Sequence, residues 1–294
     1  MPQCLLEYNL TRNRPREDVQ MNSFQRTILL AVFACHLAAQ QPLRSLPDNN
    51  LGYPVMINIG RSTGSGFFFN TGQEMYLVTA THVLYSLPEA NRPRTLLGQN
   101  IDLLSYSADI ADTVQNRIRI DTTVLGEANI LRHATADVTV VRMFNIIGTA
   151  LRTLPGVTIQ RSARAGILSA HVETVARFNQ VLVGNDVFLF GYPLSLNLAL
   201  QLDPERPLVS KGIVGGINRF SRSIILNCPS YPGNSGGPAV EVDPVDALNR
   251  SARIIGVVDQ FIPFADATRG MGAANSGYSV IVPIDFALDL MNVH

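Results

Sequence analysis

From Tyr53 onward the chain is written in short apolar runs rich in Val, Ile, Leu and Phe, separated by clusters of Gly, Pro, Asn, Asp and Ser. Runs of this kind, β-branched or aromatic and bounded by turn formers, read as strands. The front half offers Tyr53 to Ile59, Ser65 to Phe69, Met75 to Ala80, Ile101 to Tyr106, Arg117 to Leu125 and Asp137 to Met143. The back half offers Val157 to Gln160, Asp186 to Phe190, Val209 to Val214, Ser223 to Cys228, Ala239 to Val242, Ile254 to Asp259 and Tyr278 to Val282. Strands so numerous and so evenly spaced, without alternating helices, predict an all-β chain of two antiparallel six-stranded β-barrels packed together. The first spans about 52–145 and the second about 155–283. Pro283 to Met291 predicts a short C-terminal helix over about 284–292, with Phe286, Leu290 and Met291 on one apolar face. Residues 161–182 contain helix formers and read as an inter-barrel connection with helical tendency. The segments Pro88 to Arg94 and Ser107 to Asp112, rich in Asn, Arg, Pro and Asp, read as a surface insertion.

Residues 1–50 fall outside this pattern. A polar, charged stretch is followed by Met21-Asn-Ser-Phe-Gln-Arg26, then by the apolar Thr27 to Cys35, then by small residues up to Pro42. A positive residue, a short apolar run and small residues fit a secretory signal over 21–39, and the run is too short to span a bilayer. Translation from Met21 and export are the expectation: periplasmic, secreted, or lipid-anchored through Cys35 in Val32-Phe-Ala-Cys35. The alternative is a cytoplasmic protein whose N-terminus is an ordinary helix. The remainder, up to residue 50, is a linker.

Composition narrows the partners. With 46% hydrophobic and 16% charged residues the chain is globular and can bury a substantial core. Formal net charge is zero and no basic cluster stands out, which argues against nucleic acid or an anionic membrane surface as partner. Three cysteines, Cys4, Cys35 and Cys228, are too few and too scattered for a disulfide framework or a zinc site, so no metal and no cofactor are expected. Cys228 reads as a small buried hydrophobe.

The one stretch whose composition points to chemistry is Pro232-Gly-Asn-Ser-Gly-Gly-Pro238. Its glycines allow a tight turn and close backbone approach, and they present the Ser235 hydroxyl as a nucleophile. Such a hydroxyl needs a base, and His82 ends the apolar run Met75-Tyr-Leu-Val-Thr-Ala-Thr-His82 at a strand terminus. An imidazole base needs a carboxylate behind it, and Asp137 heads the β-branched run Asp137-Val-Thr-Val-Val. His133 and His171 read as surface or structural histidines.

His82, Asp137 and Ser235, in that chain order, resemble the triad of the trypsin-like (chymotrypsin-fold) serine peptidases. The likeness runs over roughly residues 52–290 through Gly64-Ser-Gly-Phe-Phe-Phe69, Leu77 to His82, Val183 to Pro193, Gly212-Ile-Val-Gly, Pro232 to Gly237 and Gly277 to Pro283. These are similar to landmarks of the bacterial high-temperature-requirement branch, without its peptide-binding appendage. The resemblance implies a peptidase domain over 51–294 with the active site between the barrels, polypeptide substrates, and an oxyanion hole from the backbone N–H groups of Gly233 and Ser235. Asn234, adjacent, replaces the aspartate that many secreted relatives pair with a freshly cut N-terminal amine. It implies activity without zymogen cleavage, and Ile213-Val-Gly-Gly216, which imitates an activated N-terminus, reads as strand and turn. By the same resemblance Pro229, Asp259, Gln260, Phe261 and Ser279 flank the primary pocket, which favours small or apolar side chains over Arg or Lys. Two rival readings stay open: an inactive two-barrel binding or adhesion module, and an esterase using Ser235.

Overall fold

A computed structural model describes residues 52–87, 93–107, 112–164, 166–193, 203–242, 252–264 and 274–293. The expected leader with its signal segment, Cys4, Cys35 and His36, and also His294 and parts of the insertion (88–92 and 108–111), lie outside these residues.

The front half supplies β1 (Pro54–Ile59), β2 (Ser62–Asn70), β3 (Glu74–Thr79), β4 (Asn100–Ser105), β5 (Asn116–Asp121), β6 (Ile130–Arg132), β7 (Thr139–Ile147), β8 (Ala150–Thr153), β9 (Val157–Arg161) and β10 (Ala170–His171). They form one curled sheet in the order β6-β7-β3-β2-β1-β4-β5-β9, with β8 paired to β7 and β10 running parallel to β2. The back half supplies β11 (Asp186–Gly191), β12 (Leu208–Asn218), β13 (Ser223–Asn227), β14 (Pro238–Val242), β15 (Ala252–Phe264) and β16 (Ala274–Pro283). These six close into an antiparallel barrel, β11-β12-β13-β16-β15-β14. The all-β, double-barrel expectation holds, with the first barrel present as a curled half-barrel sheet. Its extra strands β6, β8 and β10 are 3, 4 and 2 residues long, too short for an apolar run to announce them.

Two faces of the same strands build two cores. On β11, Val187 and Leu189 point into the closed barrel with Val214, Leu226, Cys228 and Ile281. Their neighbours Phe188 and Phe190 point the other way and join the front-half cluster of Phe67, Leu77, Val140 and Phe144. This is the period-2 alternation of a strand, with both faces covered. The triplet Phe67-Phe68-Phe69 is likewise fully buried, each ring contributing roughly 1.5–3 kcal/mol of transfer free energy. Cys228 has no exposed surface, and burial pushes its thiol up to about 11 against an opposing hydrogen bond from the Leu189 backbone, so it is inert packing.

Among the described residues the α-helices are short: α1 (Thr81–Leu84), α2 (Thr122–Leu125) and α3 (Asp285–Leu290). In and beside α3 the buried side chains are Ile284, Ala287, Leu288 and Met291, the i, i+3, i+4, i+7 stripe; Met291 is buried as expected, while Phe286 and Leu290 are only partly covered. The expected helical tendency of 161–182 gives way to β10 and two 3₁₀ turns, Val172–Thr174 and Phe178–Gln180. There the backbone is committed to pairing instead: β10 to Phe69 and Asn70, and Val175 to Ile254. No helix among the described residues is long and apolar enough to cross a membrane.

Candidate active site

Strand register brings His82 and Asp137 together. β3 and β7 are antiparallel, with Thr79 opposite Thr139 at the end where β3 leaves the sheet and β7 enters it. His82 lies three residues past Thr79, in α1, and Asp137 lies two residues before Thr139, so both emerge from one edge. Asp137 therefore precedes its strand instead of heading it. The Thr81 and Thr139 hydroxyls, 3.0 Å apart, tie the two segments. Asp137 then accepts twice from His82: Oδ2 bonds the ring Nδ1, and Oδ1 accepts the backbone N–H at 3.2 Å.

The turn before Asp137 is shaped by His133, whose Nδ1 accepts from the amides of Thr135 (3.3 Å) and Ala136 (2.9 Å). Its ring meets Phe286 of α3 edge-on at 4.8 Å between centroids, and the Arg222 guanidinium lies 4.7 Å over that same phenyl ring. His133 is structural, as expected, but its work is to fix the turn that presents Asp137.

Ser235 lies in the loop between β13 and β14. Gly233 and Gly236 adopt φ of 103° and 87°, open to few residues other than glycine, and a Cβ on Gly236 would come within 2.0 Å of the Ser65 carbonyl. The amides of Asn234, Gly236 and Gly237 are engaged by the carbonyls of Tyr231 (2.9 Å), Val258 (2.7 Å) and Asn234 (3.0 Å). The Ser235 hydroxyl donates to the Asp259 carbonyl at 2.9 Å. His82, Asp137 and Ser235 all line one open cleft of about 420 Å³, together with Leu87, Arg94, Ser230, Tyr231, Pro232, Asp259, Gln260 and Phe261.

A family model described as "Trypsin-like peptidase domain" matches residues 64–244. The chain belongs to the trypsin-like peptidase family. No curated protein matches the sequence. Among solved structures, the serine endoprotease from Yersinia pestis is similar at 15% identity and a TM-score of 0.46, over 82% of this chain and 62% of that one. The HtrA-type protease AlgW with tripeptide is similar at 16% identity and a TM-score of 0.46, over 82% of this chain and 60% of that one. The chain thus spans about three-fifths of the length of these structures.

In this trypsin-like family member the cleft is a short row of charges. Burial lowers the proton affinity of His82, but the hydrogen bond and charge of Asp137 and the charge of Asp259 outweigh it, and the net shift is upward. Burial raises Asp137, yet its bonds to His82 and the Arg94 guanidinium, 3.8 Å away, hold it below the ordinary carboxylate value. Asp259 is pushed up to about 6, by burial first and by the Asp137 charge second. The donor atoms of His82, Asp137 and Asp259 lie within 4.8 Å of one another, a spacing a divalent ion could bridge, but both Asp137 oxygens are already used by His82. We read the group as a hydrogen-bonded array.

Of the residues expected around the pocket, Asp259, Gln260 and Phe261 line the cleft, while Pro229 and Ser279 are not among its walls. Ser279 is fully buried, donates to the Cys228 carbonyl (2.6 Å) and shares a second hydrogen bond with the Ser230 hydroxyl (2.9 Å), so it supports the wall from behind. Arg94, expected as loop surface, reaches the cleft instead. Asn234 is 3% exposed, a buried amide beside Ser235.

The residue that sequence reasoning missed is Ser65, quoted only as part of a glycine motif. Fully buried on β2, it donates its hydroxyl to the Gly233 carbonyl (2.7 Å) and accepts the Tyr192 amide (3.0 Å), while its amide bonds the Ser235 carbonyl (2.8 Å). A front-half strand thereby clamps the back-half loop that carries Ser235. A hydroxyl between two glycines, where a strand approaches another backbone, was the available signal. Ser65→Ala strands the buried Tyr192 N–H, costing about 1–3 kcal/mol, and removes the bond to the part-buried Gly233 carbonyl, worth about 0.5–1.5 kcal/mol. Denaturant melts are expected to show a loss of about 2–4 kcal/mol. The acylation rate is expected to fall about 10²-fold, the scale for displacing a reacting group by roughly 1 Å.

Proposed function

We propose that the protein is a serine endopeptidase. The observation that carries this is the convergence of an imidazole, a carboxylate bonded to its Nδ1 and a glycine-framed hydroxyl on one cleft. In this reading the His82 ring, held in one tautomer by Asp137, takes the Ser235 proton as Oγ attacks a peptide carbonyl. The ring then returns the proton to the leaving amine, and water releases the acyl group by the same route. Before attack the hydroxyl must give up its hydrogen bond to the Asp259 carbonyl and turn to the ring. The backbone N–H groups of Gly233 and Ser235 would hold the oxyanion. The engagement of the neighbouring Asn234, Gly236 and Gly237 amides in fixed bonds supports this choice. Each such donor is worth about 2.7–4 kcal/mol to the transition state.

Leu87 and Phe261 on the cleft walls support a preference for small or apolar side chains. Asn234 cannot form the ion pair that an aspartate would make with a new N-terminal amine, and Ile213–Gly216 lies within β12. The protein is therefore expected to degrade casein without internal processing. Mass spectrometry of the active enzyme should find the segment from Tyr53 to the C-terminal helix uncut. Activity that appears only after an internal cut would count against this reading, and no casein cleavage under any condition would end it.

A further inference from the structure

Asp259 is the extra residue of a β-bulge. On β15, Val258 pairs with Ile281 and Gln260 pairs with Val280; these partners are adjacent on β16, so Asp259 has no partner of its own. A bulge re-aims the side chain it releases, and bulges gather beside active sites for that reason. Here the released residue acts at both ends of the site. Its carbonyl accepts the Ser235 hydroxyl at 2.9 Å, and its carboxyl lies within 4.8 Å of the His82 and Asp137 donor atoms. Two carboxyl groups with oxygens inside a 4.8 Å cluster cannot both ionise without mutual cost, so one of them retains its proton to higher pH than an isolated acid does.

We propose that Asp259 is a positioning residue that holds a proton against Asp137, so that two carboxyl groups, not one, set the pH at which His82 can act as a base. The inference rests on the peptidase reading only for its effect on turnover. The titratable or charged side chains that share the cleft with Asp259 are His82 on α1, Asp137 before β7, Arg94 on the segment after α1, and Tyr231 of the nucleophile loop. Arg94 opposes protonation of His82 and favours ionised Asp137, whereas Asp259 does the reverse once it ionises. The upward displacement of Asp259 to about 6 fits a proton kept by burial and by the Asp137 charge.

The sign follows directly. His82 must be neutral to accept the Ser235 proton, and an ionised Asp259 favours the imidazolium. With Asp259 ionised the acid limb of activity therefore lies at higher pH than a lone Asp137 would place it. Asp259→Asn keeps the backbone carbonyl and a side-chain donor for Asp137 but cannot carry the charge. Removing a unit charge about 5 Å away, in a medium between water and protein interior, moves a proton affinity by about one pH unit.

The test is an NMR titration of ¹⁵N-histidine-labelled wild type, Asp259→Asn and Asp259→Ala, run beside kcat/KM against pH on one peptide. The His82 midpoint is expected to fall by about one unit in both variants, and the acid limb of kcat/KM to move with it. In wild type alone the His82 signals are expected to show a second inflection as Asp259 titrates, so the wild-type protein decides the matter even if neither variant folds. An unmoved midpoint in a folded variant, or a single inflection in wild type, overturns the proposal, and so does a uniform drop in kcat across pH with no shift of the limb. A His82 midpoint that shifts in protein that hydrolyses nothing upholds the carboxyl pair and ends the peptidase reading, so the two fail separately.

Discussion

Ser235→Ala is expected to abolish measurable casein turnover while leaving the protein folded. The Ser235 hydroxyl is part-buried and makes one hydrogen bond, to the Asp259 carbonyl at 2.9 Å. Its loss costs about 0.5–1.5 kcal/mol of stability, well inside the margin of a domain of this size. The loop is held by other bonds: Ser65 to the Gly233 and Ser235 carbonyls, and Gly236 to Val258. With no alkoxide to acylate, kcat falls by about 10⁶-fold, and what remains comes from the donors and the cleft alone. Turnover of casein at equal enzyme concentration, with denaturant melts of both proteins, reads both halves of the expectation.

Asp137→Asn is expected to lower kcat by about 10⁴-fold, the loss seen when the acid of such a triad becomes an amide. Asp137 touches His82 through both oxygens, and its Oδ2 accepts from Nδ1. An amide nitrogen in that place prefers an unprotonated Nδ1, which moves the ring proton to Nε2, the side that must be free to take the Ser235 proton. Removing the carboxylate also removes the chief influence that raises His82, leaving burial and the Arg94 charge to push its proton affinity down against Asp259 alone. The residual activity is therefore expected to keep its acid limb at lower pH than wild type. Stability carries a matching mark. Asp137, lowered in the fold, contributes stability that is present above about pH 4 and lost as pH falls through its folded value. His82, raised in the fold, contributes stability that is full below about pH 6.5 and lost as pH rises through its folded value. Melts of wild type and variant should differ most between those limits.

The strand runs could be read from the chain, and so could the three side chains that the fold brings to one cleft, because each carries a local signature. Asp137 was found from a carboxylate just before a β-branched run, and Ser235 from a glycine frame that no core could use. The residues missed depend on register between distant strands. Ser65 matters because β2 meets the nucleophile loop 168 positions later, a separation no local pattern encodes. Asp259 was expected beside the substrate pocket from the resemblance and does line the cleft; what no local pattern announces is the bulge between Val258 and Gln260, which leaves it without a strand partner. The helical reading of 161–182 followed side-chain propensity, which pairing with β2 and β15 overrides. Around α3 the inward face was right at Met291 but not at Phe286 and Leu290, because so short a helix gives the periodicity too few turns to fix its phase.

The central claim is that an imidazole from the front sheet activates a hydroxyl from the closed barrel. Covalent labelling by a fluorophosphonate, which reacts only with an activated serine, tests it most directly. Wild type is expected to take up one label on Ser235, and Ser235→Ala and His82→Ala none on the same timescale. Equal labelling of wild type and His82→Ala, or a label on any other serine, would contradict it.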